Sequence, residues 1–296
     1  MKSGFVALVG RPNVGKSTLV NALVGSKVAI TSSRPQTTRN AIRGVVTLGE
    51  PEPTAQLVLI DTPGLHKPKN ALGERLNAIV YGTLAEVDAV AFVLDATQKV
   101  GPGDRLIAQR LADAGSEVVV VVNKTDIAKK GRVLERLTEG AVWDFAAYVP
   151  LSAANRDGIH QLRDELVGRL PDGPQYFPRD ATTDQPEELL VAEIVREKFL
   201  ARLREELPHS LTVRTREIET RDDGLLSIDA QVVVERKSQK GIVIGKSGEV
   251  LGAAGAEARA ELEALFGTKV YLGLRVVVEK DWQRRPELLD RLGFDH

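Results

Sequence analysis

The tripeptide Gly-Lys-Ser occurs twice in this chain, and its first copy has the surroundings that a phosphate-binding loop needs. The stretch GRPNVGKS matches the pattern G-x-x-x-x-G-K-[ST] from Gly10 to Ser17 and follows the apolar run FVALV. Glycines permit turns that aim backbone N–H groups at phosphate oxygens. Lys16 would reach the β- and γ-phosphates, and the Ser17 hydroxyl would bind Mg²⁺. The residues predicted to line the nucleotide here are Gly10, Asn13, Val14, Gly15, Lys16, Ser17 and Thr18.

Asp61 ends a second apolar run, LVLID, where a carboxylate is unexpected unless it has a cationic partner. A Mg²⁺ ion held beside Ser17 would be such a partner. The alternative is a strand-end carboxylate that caps a turn. Gly64 follows closely in the sequence, and its backbone N–H is predicted to lie near a γ-phosphate, which makes it a catalytic candidate together with Lys16.

The segment VVNKTD follows a third apolar run and carries Asn123, Lys124 and Asp126. Ligands bind at the carboxyl ends of the strands in open α/β sheets, which is where these residues are predicted to lie. A carboxylate at Asp126 can accept two hydrogen bonds from the N1–H and N2–H₂ edge of guanine, which adenine lacks, so it would select GTP over ATP. Further along, Ser152 and Ala153 in the tripeptide LSA could line the base with backbone N–H groups, although this tripeptide alone is weak evidence.

The elements that must position these residues alternate between apolar runs and helical patterns from Phe5 to about Leu170. Such alternation predicts a doubly wound, mostly parallel sheet, and the turn-rich GEPEP between two runs indicates one antiparallel strand. The predicted strands are FVALV, AIRGVVTL, AQLVLID, AVAFVLD, EVVVVVN and AYVPLS, with helices from Lys16 and over 103–113 and 157–169.

A stretch rich in proline separates this α/β domain, residues 1–170, from a smaller α+β domain. Residues 171–186 are predicted to be a linker and 187–296 the second domain with a C-terminal tail. Its predicted element order is α-β-β-α-α-β. The alternating residues Leu226, Ile228, Ala230, Val232 and Val234 are predicted to face its core, as are Leu251, Ala254, Ala258, Leu262 and Leu265 of a helix.

The second Gly-Lys-Ser lacks the spacing of a phosphate-binding loop, because Lys240 stands where that pattern needs its first glycine. Gly245 and Gly248 instead form a G-x-x-G turn between two predicted helices. In this element order the turn resembles that of a type II KH domain, which clamps the backbone of single-stranded nucleic acid. The alternative is a helix-connecting turn without a ligand. The predicted RNA contacts are Lys237, Lys240, Ile244, Gly245, Lys246, Ser247 and Gly248, and the apolar stretch 242–244 would lie under the bases.

The composition excludes several classes of protein. The 296 residues carry a net charge of −1, so any nucleic-acid binding must come from a local patch. The chain has no cysteine, which excludes disulfides and thiolate metal sites, and its four histidines lack ligand-like spacing. No stretch has the length of a membrane span, and the N-terminus has no secretory signal pattern. The chain is therefore expected in the cytoplasm.

Taken in order, the nucleotide-site segments resemble those of the small translational GTPase superfamily over residues 3–170. That resemblance implies GTP or GDP and Mg²⁺ as ligands, and a first switch at PQTTRN. A threonine of this switch would bind Mg²⁺ and sense the γ-phosphate. Thr38 is favoured and Thr37 is the rival, because nothing in the residues separates them.

Together with a single type II KH domain, the stretches RPQTTR, DTPGLHKP and VERKSQKGIVIGKSGE resemble the Era family of bacterial GTPases over residues 3–285. The resemblance implies a ribosome assembly factor that hydrolyses GTP and binds small-subunit ribosomal RNA near its 3′ end. It also implies RNA binding that depends on the bound nucleotide, the small ribosomal subunit as partner, peripheral association with the cell membrane, and a monomer.

One position departs from Ras-like GTPases, which carry a water-positioning glutamine where this chain has Leu65. Slow intrinsic hydrolysis is therefore expected. Asn13 matches an asparagine with which relatives bind K⁺, so K⁺ is expected to speed hydrolysis, and His66 is a weaker candidate for a replacement base. Two other classes remain open: an RNA-binding assembly platform with vestigial hydrolysis, and a membrane-signalling GTPase whose second domain binds protein.

Overall fold

The computed structural model describes residues 1–32, 34, 36–65 and 67–294, and it divides into two compact units. The first unit holds most of residues 1–184, and the second holds most of the chain from 185 onward. Within the described residues, no helix is both long enough and apolar enough to cross a membrane.

The first unit is built on a six-stranded sheet with the strand order β2-β3-β1-β4-β5-β6. Only β2 and β3 pair in antiparallel fashion, and the other neighbours are parallel. The predicted mostly parallel sheet with one antiparallel strand is therefore confirmed. The strands are β1 (Lys2–Val9), β2 (Ile42–Leu48), β3 (Ala55–Asp61), β4 (Ala89–Asp95), β5 (Val118–Asn123) and β6 (Ala147–Pro150).

The helices of this unit are α1 (Lys16–Val24), α2 (Ala71–Leu84), α3 (Pro102–Asp113), α4 (Lys130–Ala141) and α5 (Ile159–Arg169). The predicted helices did not include α2 and α4. In α2 the signal is Leu72, Leu76 and Val80, which recur every fourth residue and are fully buried.

Parallel pairing brings several strand ends to one edge of the sheet. Leu8 of β1 lies in register with Asp61 of β3, and Asp95 of β4 with Asn123 of β5. The continuous apolar runs of β4 and β5 are buried on both faces, which is why they do not alternate. The polar residues that follow these strands therefore meet at the same edge.

Residues 171–184, part of the predicted linker, group with the first unit. The backbone N–H of Val45 in β2 donates to Thr182 O at 2.8 Å, and Arg43 pairs with Asp184 at 2.8 Å. The segment thus covers the outer edge of β2, which would otherwise expose unpaired backbone groups. The predicted division into a first domain (1–170), a linker (171–186) and a second domain (187–296) stays a prediction.

The second unit has a three-stranded sheet in the order β7-β8-β9, with β7 antiparallel and β9 parallel to β8. Its elements are α6 (Glu187–Arg202), α7 (Leu207–Ser210), β7 (Thr212–Thr220), β8 (Leu226–Val234), α8 (Lys237–Ile244), a 3₁₀ turn (Lys246–Gly248), α9 (Glu249–Phe266), β9 (Val270–Val278), a second 3₁₀ turn (Trp282–Arg284) and α10 (Pro286–Arg291). The predicted order α-β-β-α-α-β is present, with α7, the second 3₁₀ turn and α10 added to it.

The core of this unit lies where α6, α8 and α9 pack on the sheet. Four of the five residues of the predicted β8 face are buried, and so are Ala254, Ala258 and Leu262 of α9. Leu226 of β8 and Leu251 of α9 are half-buried and pack against this core. The prediction for Leu265 was wrong, because its side chain is 45% exposed. In the last turn of α9 it is Phe266, at the next position, that packs against the core.

Candidate functional site

The loop from Gly10 to Ser17 connects β1 to α1 and surrounds the ammonium group of Lys16. Lys16 Nζ donates to Gly10 O and to Arg11 O, each at 3.2 Å. Both loop glycines are required by close neighbours: a Cβ on Gly10 would lie 2.5 Å from Val93 O, and one on Gly15 would lie 2.3 Å from Asn123 Nδ2. Gly15 also has a φ of 98°, which favours glycine.

Burial lowers the pKa of Lys16 to about 8, although the charge of Asp61 acts in the opposite direction. The side chain is only 6% exposed. An ammonium held away from water in this way gains most from a phosphate that enters the loop, because the phosphate replaces the lost hydration. The geometry fits the predicted role of Lys16.

Three side-chain oxygens from distant parts of the chain meet beside Lys16. Ser17 Oγ donates to Asp61 Oδ2 at 2.6 Å, and Thr38 Oγ1 donates to the same oxygen at 3.1 Å. The two hydroxyls are 2.9 Å apart. Of the two threonines that the sequence left open, the structure brings Thr38 into this cluster.

Hydroxyl and carboxylate oxygens are the donors that Mg²⁺ prefers, so the cluster of Ser17, Thr38 and Asp61 fits the metal ion that accompanies a nucleoside triphosphate. Across the described ranges, no group of three or more His, Cys, Asp or Glu side chains could hold a metal.

The predicted base-binding residues form a connected network at the end of β5. Asn123 Nδ2 donates to Val14 O at 2.9 Å, while Asn123 Oδ1 accepts from Lys124 N at 2.8 Å and Ala153 N at 3.0 Å. The exposed Asp126 is oriented by Ser152, whose Oγ donates to Asp126 Oδ1 at 2.7 Å. The structure thus joins the phosphate loop to both segments predicted to bind the base, and it leaves the Asp126 carboxylate exposed.

The segment after β3 also touches the phosphate loop. A Cβ on Gly64 would lie 2.7 Å from Pro12 N, and Leu65 N donates to Gly10 O at 3.3 Å. The Leu65 side chain packs in an apolar cluster with Phe92 and has no group that could orient water. His66 lies outside the described residues.

Two further residues predicted to line the nucleotide lie in the phosphate loop and at the start of α1. Asn13 is exposed with a φ of 64°, and Thr18 is half-buried.

In the second unit, the G-x-x-G turn connects α8 to α9 through two glycines with positive φ. Gly248, with a φ of 84°, and Ser247, with a φ of 54°, are in the left-handed helical conformation, whereas Gly245 combines a φ of 77° with an extended ψ of 172°. A Cβ on Gly245 would lie 2.7 Å from Val250 Cγ2, whereas one on Gly248 would meet no atom within 4 Å. Gly248 therefore leaves open space beside the turn into which a ligand backbone could come.

The basic residues predicted to contact RNA are all exposed: Lys237, Lys240 and Lys246. The predicted apolar floor is not a single surface. Val243 is fully buried in the core, Ile244 is half-buried, and Ile242 is 54% exposed. The three residues lie on one short helix, so they point in different directions and cannot all lie under a base.

A groove of about 420 Å³ lies beside the turn, between α9 and β9. This groove was not predicted from the sequence. A signal was present in the sequence, because small residues recur at 252, 255 and 256 along the side of α9 next to its core face. The groove is lined by Gly248, Leu251, Gly252, Gly255, Ala256, Arg259, Tyr271, Leu272 and Leu274.

Comparison with known proteins matches both units. The family model described as "50S ribosome-binding GTPase" matches residues 5–124, and the KH domain model matches residues 206–283. GTPase Era of a Nocardioides species is 52% identical over 99% of this chain and 96% of its own length. GTPase Era of Mycobacterium tuberculosis H37Rv is 51% identical over 99% of this chain and 98% of its own length.

This chain belongs to the Era family of GTPases. Two solved Era structures superimpose on the whole chain with a TM-score of 0.95 and 40% sequence identity, and each is covered over its full length. One is a variant of Aquifex aeolicus Era bound to GDP and AlF4⁻. The other is Era in complex with MgGDPNP and nucleotides 1506–1542 of 16S ribosomal RNA. The fold of this Era-family chain is thus the one expected from its motifs.

Two buried carboxylates of this Era-family chain were missed by the sequence analysis. Asp95 at the end of β4 contacts Lys124 Nζ at 2.7 Å, and Asp104 in α3 contacts Arg11 Nε at 2.9 Å. Asp95 could have been found by the argument that identified Asp61, because it is also a carboxylate that ends an apolar strand. Asp104 carried no such signal, since acidic residues in the first turn of a helix are common.

Proposed function

We propose that this chain binds GTP with Mg²⁺, hydrolyses it to GDP and phosphate, and binds small-subunit ribosomal RNA near its 3′ end as a ribosome assembly factor. The observation that carries the proposal is the match over the full chain to an Era structure that holds both MgGDPNP and 16S ribosomal RNA nucleotides. The phosphate loop of the first unit and the G-x-x-G turn of the second supply one site for each ligand.

The chemistry of the nucleotide site follows from its residues. Gly15 and the start of α1 offer backbone N–H groups to the β-phosphate, and the Lys16 ammonium neutralises charge on the β- and γ-phosphates. Ser17, Thr38 and Asp61 would hold Mg²⁺, which supplies further charge neutralisation when bound. Water attacks the γ-phosphorus in line, the bond to the β-phosphate oxygen breaks, and GDP and phosphate leave.

Slow intrinsic hydrolysis follows from Leu65, whose side chain is buried and apolar. We propose that K⁺ near the exposed Asn13 adds the positive charge that the transition state lacks. Turnover of GTP in equal concentrations of KCl and NaCl tests this point. Faster turnover in KCl is expected, and equal turnover would reject the K⁺ site without affecting the proposal of GTP hydrolysis.

RNA binding is assigned to the G-x-x-G turn, its neighbouring lysines and the groove between α9 and β9. Exposed aromatic and cationic side chains are suited to single-stranded bases, and the groove offers Tyr271, which is 53% exposed, and Arg259. The name of the family model refers to the 50S subunit, but that model matches only residues 5–124. The full-length match to an RNA complex favours the small subunit.

The decisive experiment is crosslinking of RNA in cells to the wild-type chain and to Lys246→Asp. Enrichment of the 3′ end of 16S ribosomal RNA is expected for wild type and strong loss for the variant. If no ribosomal RNA is enriched, the RNA proposal fails, and a membrane-signalling GTPase with a protein partner becomes the better reading. If RNA is bound but GTP turnover with RNA and KCl is absent, the chain is an assembly platform without hydrolysis.

The proposal also includes a dependence of RNA affinity on the bound nucleotide. In addition, we propose that the chain is a monomer and that it is cytoplasmic with peripheral association with the membrane. RNA affinity measured with GDP and with a non-hydrolysable GTP analogue tests the coupling, and equal affinities would reject it. Light scattering reports the oligomeric state, and vesicle flotation with each nucleotide tests membrane association.

A further inference from the structure

The segment that joins β4 to α3 presents two carboxylates to the phosphate loop from outside. Asp95 Oδ2 lies 2.7 Å from Lys124 Nζ, and the same ammonium donates to Asn13 O at 2.6 Å. The other oxygen, Asp95 Oδ1, accepts from Thr97 N at 2.8 Å and Thr97 Oγ1 at 2.6 Å. Asp95 is only 8% exposed, so its position is fixed from both sides.

Asp104 contacts the phosphate loop near its start, at Arg11. Its Oδ1 lies 2.9 Å from Arg11 Nε, and its Oδ2 accepts from Gly101 N at 2.8 Å at the start of α3. Asp104 is 2% exposed, and the Arg11 stem also packs on Gly103, whose added Cβ would lie 3.1 Å from Arg11 Cδ. The loop residues Arg11 and Asn13 are thus each attached to one buried carboxylate of the same segment.

These contacts matter because part of the loop has a backbone conformation that is uncommon for residues other than glycine. Asn13 has a φ of 64°, which costs free energy for a residue other than glycine and persists only where surroundings enforce it. The Lys16 ammonium pulls on Gly10 O and Arg11 O from inside the loop. Contacts from outside the loop oppose this pull when phosphate is absent: Leu65 N and Asn123 Nδ2 bond to its backbone, and the two carboxylates act on Arg11 and Asn13.

We propose that Asp95 and Asp104 are positioning residues that keep the phosphate loop open for the nucleotide, and that they set how long the nucleotide stays bound. The inference rests on the proposed nucleotide site and adds two residues to it. Asp95 acts through Lys124 on Asn13, and Asp104 acts through Arg11. Neither carboxylate needs to touch the nucleotide.

Charge alone predicts the opposite effect of removing these carboxylates. Each carries a negative charge near the site of a polyanion, so its neutralisation should by itself strengthen nucleotide binding. Positioning predicts weaker binding, because the loop loses its fixed geometry. The direction of the change therefore separates the two effects.

The test is the release rate of a fluorescent GDP analogue from full-length Asp95→Asn and Asp104→Asn, measured by stopped flow with Mg²⁺ present. Asparagine keeps an acceptor for Thr97 N or Gly101 N, so the local turns are retained. Release about tenfold faster than wild type is expected for each, because loss of an outer partner that orients a binding residue typically costs tenfold or more and appears mainly in the dissociation rate. Asp113→Asn, which neutralises an exposed carboxylate of α3, is the charge control and should stay within about twofold.

A second measurement tests whether the effect lies in the part of the loop that both nucleotides contact. The loop binds the β-phosphate of GDP and GTP alike, so both variants should weaken GDP and a GTP analogue by the same factor and leave their affinity ratio unchanged. If Asp95→Asn does not fold, Thr97→Val can replace it, because this variant removes only the Oγ1 hydrogen bond to Asp95. Thr97→Val should also weaken both nucleotides by one common factor, but by less than Asp95→Asn. Release unchanged or slower in both aspartate variants would overturn the inference, whereas absence of nucleotide binding in wild type would instead reject the proposed function.

Discussion

The Ser17 hydroxyl donates to Asp61 Oδ2 at 2.6 Å, although the two residues are 44 positions apart in the chain. The parallel pairing of β1 with β3 explains this contact, because Leu8 lies in register with Asp61 and the phosphate loop follows directly. Thr38 joins the pair from the segment before β2. The cluster therefore depends on both the strand register and the conformation of residues 36–40.

Thr38→Ala should weaken a GTP analogue by about tenfold or more, because an oxygen is lost from the proposed Mg²⁺ ligands Ser17, Thr38 and Asp61. GDP binding should change by less than about threefold, since Thr38 is proposed to sense the γ-phosphate. Titration of both nucleotides at several Mg²⁺ concentrations checks this. Thr37→Ala is the matched control, and an equal loss in both variants would mean that the observed cluster is not the functional one.

Much of this site was predictable because its residues follow strands. Lys16, Asp61 and Asn123 each come after a continuous apolar run, and parallel strands end at one edge. The choice between Thr37 and Thr38 was not predictable, because adjacent residues of a loop without periodicity carry no signal for direction. Asp104 and Arg11 are about 90 residues apart in the sequence, and only their packing reveals the contact.

The second unit shows the same limit. The period of α9 correctly gave Ala254, Ala258 and Leu262 as core, because buried faces of helices follow 3.6 residues per turn. Periodicity could not show that Phe266 rather than Leu265 closes the core at the helix end. It also could not show that the small residues next to the core face lie beside β9 and form a groove.

Asp126→Asn should change the base that is bound. The carboxylate is proposed to accept two hydrogen bonds from guanine, whereas an amide offers one acceptor and one donor. Xanthine has an N1–H and a carbonyl oxygen at the position of the guanine amino group, so it complements the amide. Calorimetry should show guanine nucleotides weakened by at least about tenfold and xanthine nucleotides strengthened.

Asp164→Asn, which neutralises an exposed carboxylate of α5, controls for charge in the Asp126 experiment. It should leave both affinities unchanged. The assignment of Asp126 to the base would be abandoned if its variant bound guanine nucleotides as tightly as wild type.

The lowered pKa of Lys16 predicts proton uptake when a nucleotide binds at mildly alkaline pH. In the free protein the Lys16 ammonium loses its proton as the pH rises through about 8. Bound phosphates favour the ammonium and raise this pKa, so affinity should be constant well below pH 8 and fall by up to about tenfold per pH unit above it. Calorimetry with GDP at pH 8 in buffers of different ionisation enthalpy should detect uptake of about half a proton.

The same linkage acts on folding. Because the folded-state pKa of Lys16 lies below the ordinary lysine value of 10.5, the unfolded chain holds more protons between these values, and Lys16 contributes rising stability from about pH 8 upward. Lys16→Met should remove the proton uptake on GDP binding even at the higher protein concentrations that its weaker affinity requires. Uptake that persists in this variant would assign the proton to another group.

Gly252→Leu offers a test of the groove that separates binding from stability. Gly252 is exposed on α9, and a Cβ there would meet no atom within 4 Å, so a larger side chain fits without disturbing the core. Leucine favours helix over glycine by about 0.8 kcal/mol, so the variant should unfold at the same temperature as wild type or higher. Its side chain would nevertheless enter the groove beside Tyr271 and exclude a base. Affinity for a single-stranded RNA from the 3′ end of 16S ribosomal RNA should fall by about tenfold, the loss of roughly one stacked base.

Gly168→Leu in α5, which also has no neighbour within 4 Å of its Cβ position, is the matched control and should bind RNA normally. Undiminished RNA binding by a stable Gly252→Leu would show that the bases lie elsewhere on this unit.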